Sequence, residues 1–94
     1  MKVLCCGEAL IDMIPSGDDF RPLPGGAVFN TAIALGRLGV ATGMLTGLSR
    51  DLFGGRLAAA LAESGVDTGP AVFSDRPTTL AFVTLRDGQA EYVF

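Results

Sequence analysis

The sequence predicts an α/β fold in which a wound sheet of short strands carries two helices and has extra strands beside it. Three observations support this prediction. Short apolar runs of strand length recur along the chain, two segments between them show helical spacing of apolar residues, and the last segment has the pattern of a β-hairpin. The resulting order, β-(β-β)-α-β-α-β-β, is typical of a wound α/β sheet with additional strands.

The first part of the chain is predicted to form three strands. Val3–Cys6 is an apolar run that ends at Gly7, as in the first strand of a parallel sheet. Residues 9–14 form a second apolar stretch, which stops at Pro15. The prolines in and after residues 20–23 suit a short edge strand, because proline has no N–H group to donate within a central strand.

Two amphipathic helices are predicted over residues 27–38 and 52–64. Gly39 and Gly65 lie where C-terminal caps are expected, and Asp51 is placed to cap the start of the second helix. One face of each helix is apolar and is expected to pack on the sheet. These faces are formed by Phe29, Ala32, Ile33 and Leu35 in the first helix and by Phe53, Leu57, Ala60 and Leu61 in the second.

Further strands are predicted between and after the helices. Residues 40–48 form one apolar strand, and residues 71–73 form a short one. Residues 79–85 and 90–94 are predicted to pair around Asp87 and Gly88, because an Asp-Gly pair favours the tight turns of hairpins. The chain stops inside the last of these strands, so we expect it to be the first part of a larger domain.

The composition limits the classes of function. Of the 94 residues, 49% are hydrophobic and the mean hydropathy is +0.45, so we expect residues or partners outside this chain to cover some apolar surface. A net charge of −3 and a pI near 4.6 argue against nucleic acid as a partner. Glu8 and Asp12 interrupt the N-terminal apolar run too early for a signal peptide, and no stretch is long enough for a membrane span. We therefore expect a cytoplasmic protein that has no membrane partner.

The two cysteines, Cys5 and Cys6, are adjacent in the first predicted strand. Neighbouring side chains of a strand point to opposite faces, so these two are poorly placed to form a disulfide or to share a metal ion. We expect both to be buried, reduced thiols. The chain also has no histidine and no Cys-x-x-Cys motif, so the sequence predicts no metal site.

Asp12, the pair Gly25 and Gly26, and Asn30 form the candidate binding set. A glycine pair at a helix start lets a ligand approach the backbone and exposes free N–H donors. Asp12 follows the first strand, near the carboxyl edge where wound sheets bind ligands. The amide of Asn30, one turn into the helix, both donates and accepts hydrogen bonds. Together these groups suit a polyol better than an anion.

Each member of this set also has a purely structural explanation. Glycine pairs before helices usually form only a tight turn. An isolated aspartate after a strand is more often solvated than functional, and an asparagine in a first helical turn is most often a local cap. Only the combination, together with the surrounding motifs, favours a binding site.

Three motifs carry a resemblance to a known family: GEALID at residues 7–12, PGGAVFNTAIALGRLG at 24–39 and GLSRDLFG at 47–54. In their order and spacing they resemble the ribokinase-like (PfkB-type) carbohydrate kinases. Within that family the chain is most similar to the bacterial fructokinases, whose next element reads like PTTLAFV at 77–83. The resemblance covers nearly the whole chain, which corresponds to the N-terminal part of such an enzyme.

Two positions depart from the usual pattern of the family. Val28 stands where Gly, Pro or Ala is common, and Ser49 stands where Gly is common. We expect Val28 to narrow the sugar pocket, which affects the identity of the substrate more than its class.

The resemblance implies that residues 1–94 are the N-terminal portion of a single kinase domain, built from a wound α/β sheet with small β-lid strands. Asp12, Gly25, Gly26 and Asn30 would hold the hydroxyl groups of a small-molecule sugar, and Phe94 lies near a position that faces it. Residues 79–94 and the strands near Asp12 would build the lid, through which the complete enzyme would form a homodimer.

No catalytic residue is expected in this chain. The base of the family is an aspartate in a Gly-Ala-Gly-Asp motif, and that motif does not occur here. By the same resemblance, the complete enzyme would use ATP and Mg²⁺ to phosphorylate a primary hydroxyl of a sugar such as fructose, with the ATP site outside these residues. We expect the isolated chain to be inactive and to self-associate.

The sequence leaves three alternatives open: a non-catalytic sugar-binding or dimerising half-domain, a purely structural fragment, and part of a 2-keto-3-deoxygluconate kinase. A Walker-type kinase is set aside because its phosphate loop needs a lysine after a Gly-rich turn, and the only lysine is Lys2. A Rossmann dinucleotide domain is disfavoured because the residues after Gly7 lack the Gly-x-Gly-x-x-Gly spacing.

Overall fold

The computed structural model describes residues 1–94 and confirms the mixed α/β class. The elements are β1 (Val3–Cys6), β2 (Leu10–Ser16), β3 (Asp19–Gly25), α1 (Ala27–Arg37), β4 (Thr42–Leu45), β5 (Gly47–Ser49), α2 (Leu52–Glu63), β6 (Val72–Ser74), β7 (Leu80–Arg86) and β8 (Gln89–Val93). They form a wound parallel part and a separate four-stranded sheet.

The wound part consists of two parallel strand pairs. Strand β1 pairs with β4, and β5 pairs with β6. The prediction of a single strand over residues 40–48 is therefore wrong, because β4 and β5 are separated at Thr46 and pair with different neighbours. Thr46 marks this change of partner, since its carbonyl accepts a hydrogen bond from the N–H of Val72 just as β6 begins.

A buried core joins the helices to the wound strands and to β2. Helix α1 packs against β1 and β4, and α2 packs against β5. Ile11 of β2 is fully buried in this core, so the four-stranded sheet is anchored to the wound part through that residue. The ten core residues are Cys5, Ala9, Ile11, Phe29, Ala32, Met44, Leu48, Leu57, Leu61 and Val66.

The four-stranded sheet has the order β3-β2-β7-β8, and we call it the lid sheet. Strand β3 lies at its edge, as the prolines predicted, because an edge strand has one side that needs no N–H donors. Strands β7 and β8 form the predicted hairpin. Asp87 and Gly88 at its turn both have positive φ, 52° and 78°, as a two-residue type I′ turn requires.

The ends of the helices also agree with the sequence. Gly39 and Gly65 have φ of 84° and 79°, and each follows a helix whose last carbonyls are capped by the next N–H groups. The N–H of Val40 donates to Leu35, and that of Val66 donates to Leu61, which is the Schellman pattern. Neither helix is long and apolar enough to cross a membrane.

The two cysteines differ in exposure. Cys5 is buried in the core, whereas Cys6 is exposed, so the expectation that both are buried is wrong for Cys6. The cause is the alternation of side chains along β1, because α1 covers only one face of the β1–β4 pair. Leu4 and Leu45 share the other face with Cys6 and are 47% and 43% exposed.

Candidate functional site

A cavity of about 350 Å³ lies between the lid sheet and the start of α1. Asp12 enters it from β2, Gly26 and Asn30 from the start of α1, and Tyr92 and Phe94 from the end of the β7–β8 hairpin. Three of the four residues in the predicted set thus line one hollow. The fourth, Gly25, lies directly beside it, because it immediately precedes Gly26 in the chain.

Gly25 leaves room for the Asp12 side chain. A Cβ atom at residue 25 would overlap Oδ2 of Asp12, and it would also approach the Leu10 side chain, at 3.6 Å from Cδ1. The two strands bring these groups together because Leu10 of β2 is paired with Gly25 of β3. The glycine is therefore needed for the position of the carboxylate, and its conformation is not unusual, since its φ is not positive.

Gly26 turns the chain from β3 into α1. It has φ 110° and ψ 134°, a conformation that L-amino acids with a side chain rarely adopt, and it is the N-cap residue of the helix. No side chain caps this helix start, so the Asn30 amide is not used as the local cap that its position also suggested. Instead the backbone N–H of Asn30 donates to the carbonyl of Gly26 at 2.8 Å, which fixes residue 30 one turn above the glycine.

The polar side chains in the cavity are not engaged elsewhere. The carboxylate of Asp12 and the amide of Asn30 take part in none of the side-chain hydrogen bonds or ion pairs of the chain. Asp12 is half-buried, Asn30 is exposed, and both line the cavity. An ionised carboxylate accepts several hydrogen bonds, and an amide both donates and accepts, so the pair is suited to adjacent hydroxyl groups.

The charge of the cavity is negative. Glu8 lines it beside Asp12, and no lysine or arginine lines it. This arrangement suits a neutral polyol better than an anionic ligand, because an anion beside two carboxylates would be repelled.

Sequence reasoning missed both Glu8 and Tyr92. Glu8 stands inside the GEALID motif, which was the available indication, whereas nothing near Tyr92 in the sequence marks it.

The two departures from the family pattern lie outside this cavity. Val28 does not line it, so the expectation that Val28 narrows the pocket is wrong. Its side chain instead packs on Gly7, where a Cβ atom would lie 2.7 Å from one Val28 methyl group. Ser49 ends β5, and its Oγ accepts a hydrogen bond from the N–H of Asp51 at 3.0 Å.

No group of three or more His, Cys, Asp or Glu side chains is arranged to hold a metal ion. A second cavity, of about 440 Å³, lies between β5, β6, α2 and the segment that leads into β7. It is lined by the hydroxyl residues Ser49, Ser74, Thr78 and Thr79, and none of the predicted binding residues reaches it.

Comparison with known proteins gives a consistent result. Residues 1–94 match the model of the pfkB family of carbohydrate kinases. A fructokinase of Rhizobium leguminosarum bv. trifolii is 52% identical over 97 residues, which cover 98% of this chain and 30% of that protein. A crystal structure of a fructokinase from Xylella fastidiosa superposes with a TM-score of 0.87 at 40% identity, covering 97% of this chain and 31% of that one. A structure of fructokinase from the same organism with bound ATP gives 0.85 at 39% identity, with the same coverage. The chain thus spans less than a third of the length of these relatives.

Proposed function

The chain belongs to the pfkB family of carbohydrate kinases, and we propose that it supplies the sugar-binding part of a fructokinase-like enzyme. In the complete enzyme, the γ-phosphoryl group of ATP would pass to a primary hydroxyl of fructose. The observation that supports the proposal is the meeting of the Asp12 carboxylate and the Asn30 amide in one cavity beside Gly25 and Gly26. Phosphoryl transfer depends mainly on positioning and charge stabilisation, and the residues of this cavity are suited to positioning.

Each residue has a distinct role in this proposal. Asp12 accepts hydrogen bonds from two neighbouring sugar hydroxyls, and Asn30 donates to or accepts from a third. Gly25 leaves room for the Asp12 carboxylate, and Gly26 lines the cavity and presents its backbone to the sugar at the start of α1. Tyr92 and Phe94 also line the cavity, and their rings offer an apolar surface to the carbon face of the sugar.

In this proposal, the residues that bind ATP and the residue that acts as the catalytic base lie outside these 94. The ATP-bound relative from Xylella fastidiosa supports ATP as the phosphoryl donor. Mg²⁺ would accompany ATP and neutralise charge on its phosphates, and no cluster of potential ligands in this chain is arranged to hold it. The Gly-Ala-Gly-Asp motif that carries the base in the family does not occur in this chain.

This proposal is tested by comparing the isolated chain with a chimera in which it replaces the matching part of the Rhizobium fructokinase, hereafter the chimera. We expect no ATP-dependent phosphorylation of fructose by the chain alone, and clear activity from the chimera, in a coupled assay of ADP release. Activity of the isolated chain would contradict the division of roles. A folded chimera that fails to phosphorylate any neutral sugar would contradict the sugar site.

The same chimera distinguishes a neutral ketose from a sugar acid. Because Glu8 and Asp12 line the cavity without a cation, fructose is the expected substrate and 2-keto-3-deoxygluconate is disfavoured. The ratio of kcat/KM for the two sugars decides between them, and a preference for the acid would support the alternative of a 2-keto-3-deoxygluconate kinase.

We also propose that the complete enzyme forms a homodimer through the lid sheet. Leu23 and Leu85 lie on the same face of this sheet by alternation and register, outside the sugar cavity, and they are 40% and 71% exposed. A second copy would cover these apolar side chains. Leu85→Glu is expected to turn a dimeric chimera into a monomer in sedimentation experiments, whereas Thr84→Glu, on the opposite face, leaves the dimer intact. An unchanged dimer in Leu85→Glu would place the contact elsewhere.

A further inference from the structure

The motif GLSRDLFG at residues 47–54 contributes no residue to the cavity that holds Asp12 and Asn30. We propose that this motif serves to place Asp51, and that Asp51 is a positioning residue that holds the β7–β8 hairpin at the sugar cavity through Thr78. The effect on sugar binding rests on the proposed function, whereas the effect on the hairpin does not.

Asp51 joins two parts of the chain that are 27 residues apart in sequence. Its Oδ1 accepts from the N–H of Gly54 at 2.8 Å, which caps the start of α2. The same carboxylate accepts from the N–H of Thr78 at 2.8 Å and from the Thr78 hydroxyl at 2.5 Å. One side chain thus ties the start of α2 to the segment that enters β7.

The ionised form of Asp51 is the form that these hydrogen bonds stabilise. The Thr78 hydroxyl, then the Thr78 N–H and the Gly54 N–H, lower the pKa of Asp51 from 3.8 to about 2. Because the pKa is lowered in the folded state, the stabilisation is complete above the ordinary value and is lost only as the pH falls towards 2. The link through Thr78 is therefore present throughout the neutral range.

The link through Thr78 leads directly to the cavity. The next residue, Thr79, accepts a hydrogen bond from the N–H of Ile11, and β7 then begins at Leu80. In the register of the lid sheet, Ala81 lies opposite Asp12. The other strand of the hairpin carries Tyr92, which lines the same cavity. The position of Thr78 therefore affects the distance between Asp12 on β2 and Tyr92 on β8.

The backbone pairing of the hairpin with the rest of the lid sheet is short. Strand β7 is paired with β2 over three residues, from Ile11 to Met13, whereas β2 is paired with β3 over seven. Strand β8 is paired only with β7. Leu80 packs on the core, and Ala81 and Val83 are buried. The hydrogen bonds from Thr78 to Asp51 add a polar link between the start of the hairpin and the wound part of the fold.

The rest of the motif fixes Asp51 in place. The Ser49 Oγ accepts from the N–H of Asp51, which sets the turn between β5 and α2. Gly54 lies so close to the carbonyl of Ser49 that no Cβ atom fits between them. A strand end, a turn and a helix start are thereby packed tightly around one carboxylate, although that carboxylate touches neither the cavity nor its residues.

A second link nearby provides a matched control. Arg50 forms an ion pair with Asp75 at 2.8 Å, and these side chains are 59% and 90% exposed. Exposed pairs of this kind contribute little, because solvent screens the charges and both side chains lose freedom. Asp75→Asn removes a charged contact between the same two segments, and it leaves Asp51 and Thr78 unchanged.

The first experiment measures amide hydrogen exchange of residues 1–94 within the chimera. Asp51→Asn retains a good helix cap, since asparagine caps as well as aspartate, but it replaces the charged acceptor of the Thr78 hydrogen bonds. Thr78→Val removes the hydroxyl and keeps the shape. In both variants we expect the amides of β7 and β8 to exchange about tenfold faster or more, while those of α2 keep their wild-type rates. Thr78→Ser, which keeps the hydroxyl, and Asp75→Asn should match the wild type.

The second experiment measures fructose kinetics in the chimera. Asp51→Asn and Thr78→Val are expected to raise the KM for fructose about tenfold and to leave the KM for ATP unchanged, and Thr78→Ser should keep the wild-type KM for fructose.

Wild-type exchange in β7 and β8 of both variants would overturn the inference, and so would equally faster exchange in every element. Faster exchange of the hairpin with an unchanged KM for fructose would overturn its link to the cavity. If the unmodified chimera has no activity towards fructose, the proposed function fails, while the exchange data still decide whether Asp51 holds the hairpin.

Discussion

Asp12→Ala in the chimera is expected to lower kcat/KM for fructose by about 10²–10⁴ while the KM for ATP stays near its original value. The carboxylate is half-buried at the cavity and has no partner within the chain, so its hydrogen bonds would be made with the substrate. Hydrogen bonds to a charged group contribute roughly 1.5–3 kcal/mol each, and two of them account for the expected range. Steady-state kinetics with fructose and ATP varied separately provide the measurement.

Two further variants make this result specific. Asp18→Ala removes an exposed carboxylate from the turn between β2 and β3, and it should leave fructose kinetics unchanged. Gly25→Ala should weaken fructose binding although Asp12 is still present, because the added Cβ would displace Oδ2. Near-normal fructose kinetics in Asp12→Ala would show that the carboxylate does not hold the sugar, whatever the cavity contains.

Gly26→Ala is expected to destabilise the protein by about 1–3 kcal/mol or more and to weaken fructose binding as well. Residue 26 has φ 110°, which an alanine adopts only with strain, and its Cβ would lie 2.8 Å from the backbone carbonyl of Glu8. Backbone does not move aside as a flexible side chain does, so the start of α1 must shift. That shift would carry Asn30 away from Asp12, since the N–H of Asn30 is bonded to the carbonyl of residue 26.

Denaturant unfolding and fructose kinetics of the chimera test this expectation together. Gly55→Ala is the matched control, because residue 55 lies in α2, faces open space and has no positive φ. There the substitution should stabilise the protein by about 0.5–1 kcal/mol, since glycine is a poor helix former. Wild-type stability in Gly26→Ala would mean that the backbone at this position is less constrained than the structure indicates.

Several features of the fold follow from short stretches of sequence. Asp51 caps α2, Gly39 and Gly65 end the two helices, and Asp87 and Gly88 form the hairpin turn, all as predicted. Each of these features depends on the conformational preference of one or two residues and on hydrogen bonds to near neighbours. Such preferences act in the same way in any fold, so they are visible in the sequence.

Other features depend on which distant segments meet. The division of residues 40–48 into β4 and β5 follows from pairing with β1 on one side and β6 on the other. The exposure of Cys6 depends on which face of β1 the helix α1 covers. The direction of the Val28 side chain, towards Gly7 and away from the cavity, depends on how the start of α1 packs. No local pattern carries this information.

The candidate site combines both kinds of information. The residue types at 12, 25, 26 and 30 and the motifs around them were enough to select a binding set and a family from the amino-acid order alone. The tertiary fold decided that Asp12 and Asn30 share one hollow with Glu8 and Tyr92, and that Asp51 connects to Thr78. The physical reason is the sequence separation of the contacts. Caps and turns are set by contacts within a few residues, whereas a cavity exists only after strands and helices that are far apart in the chain have packed.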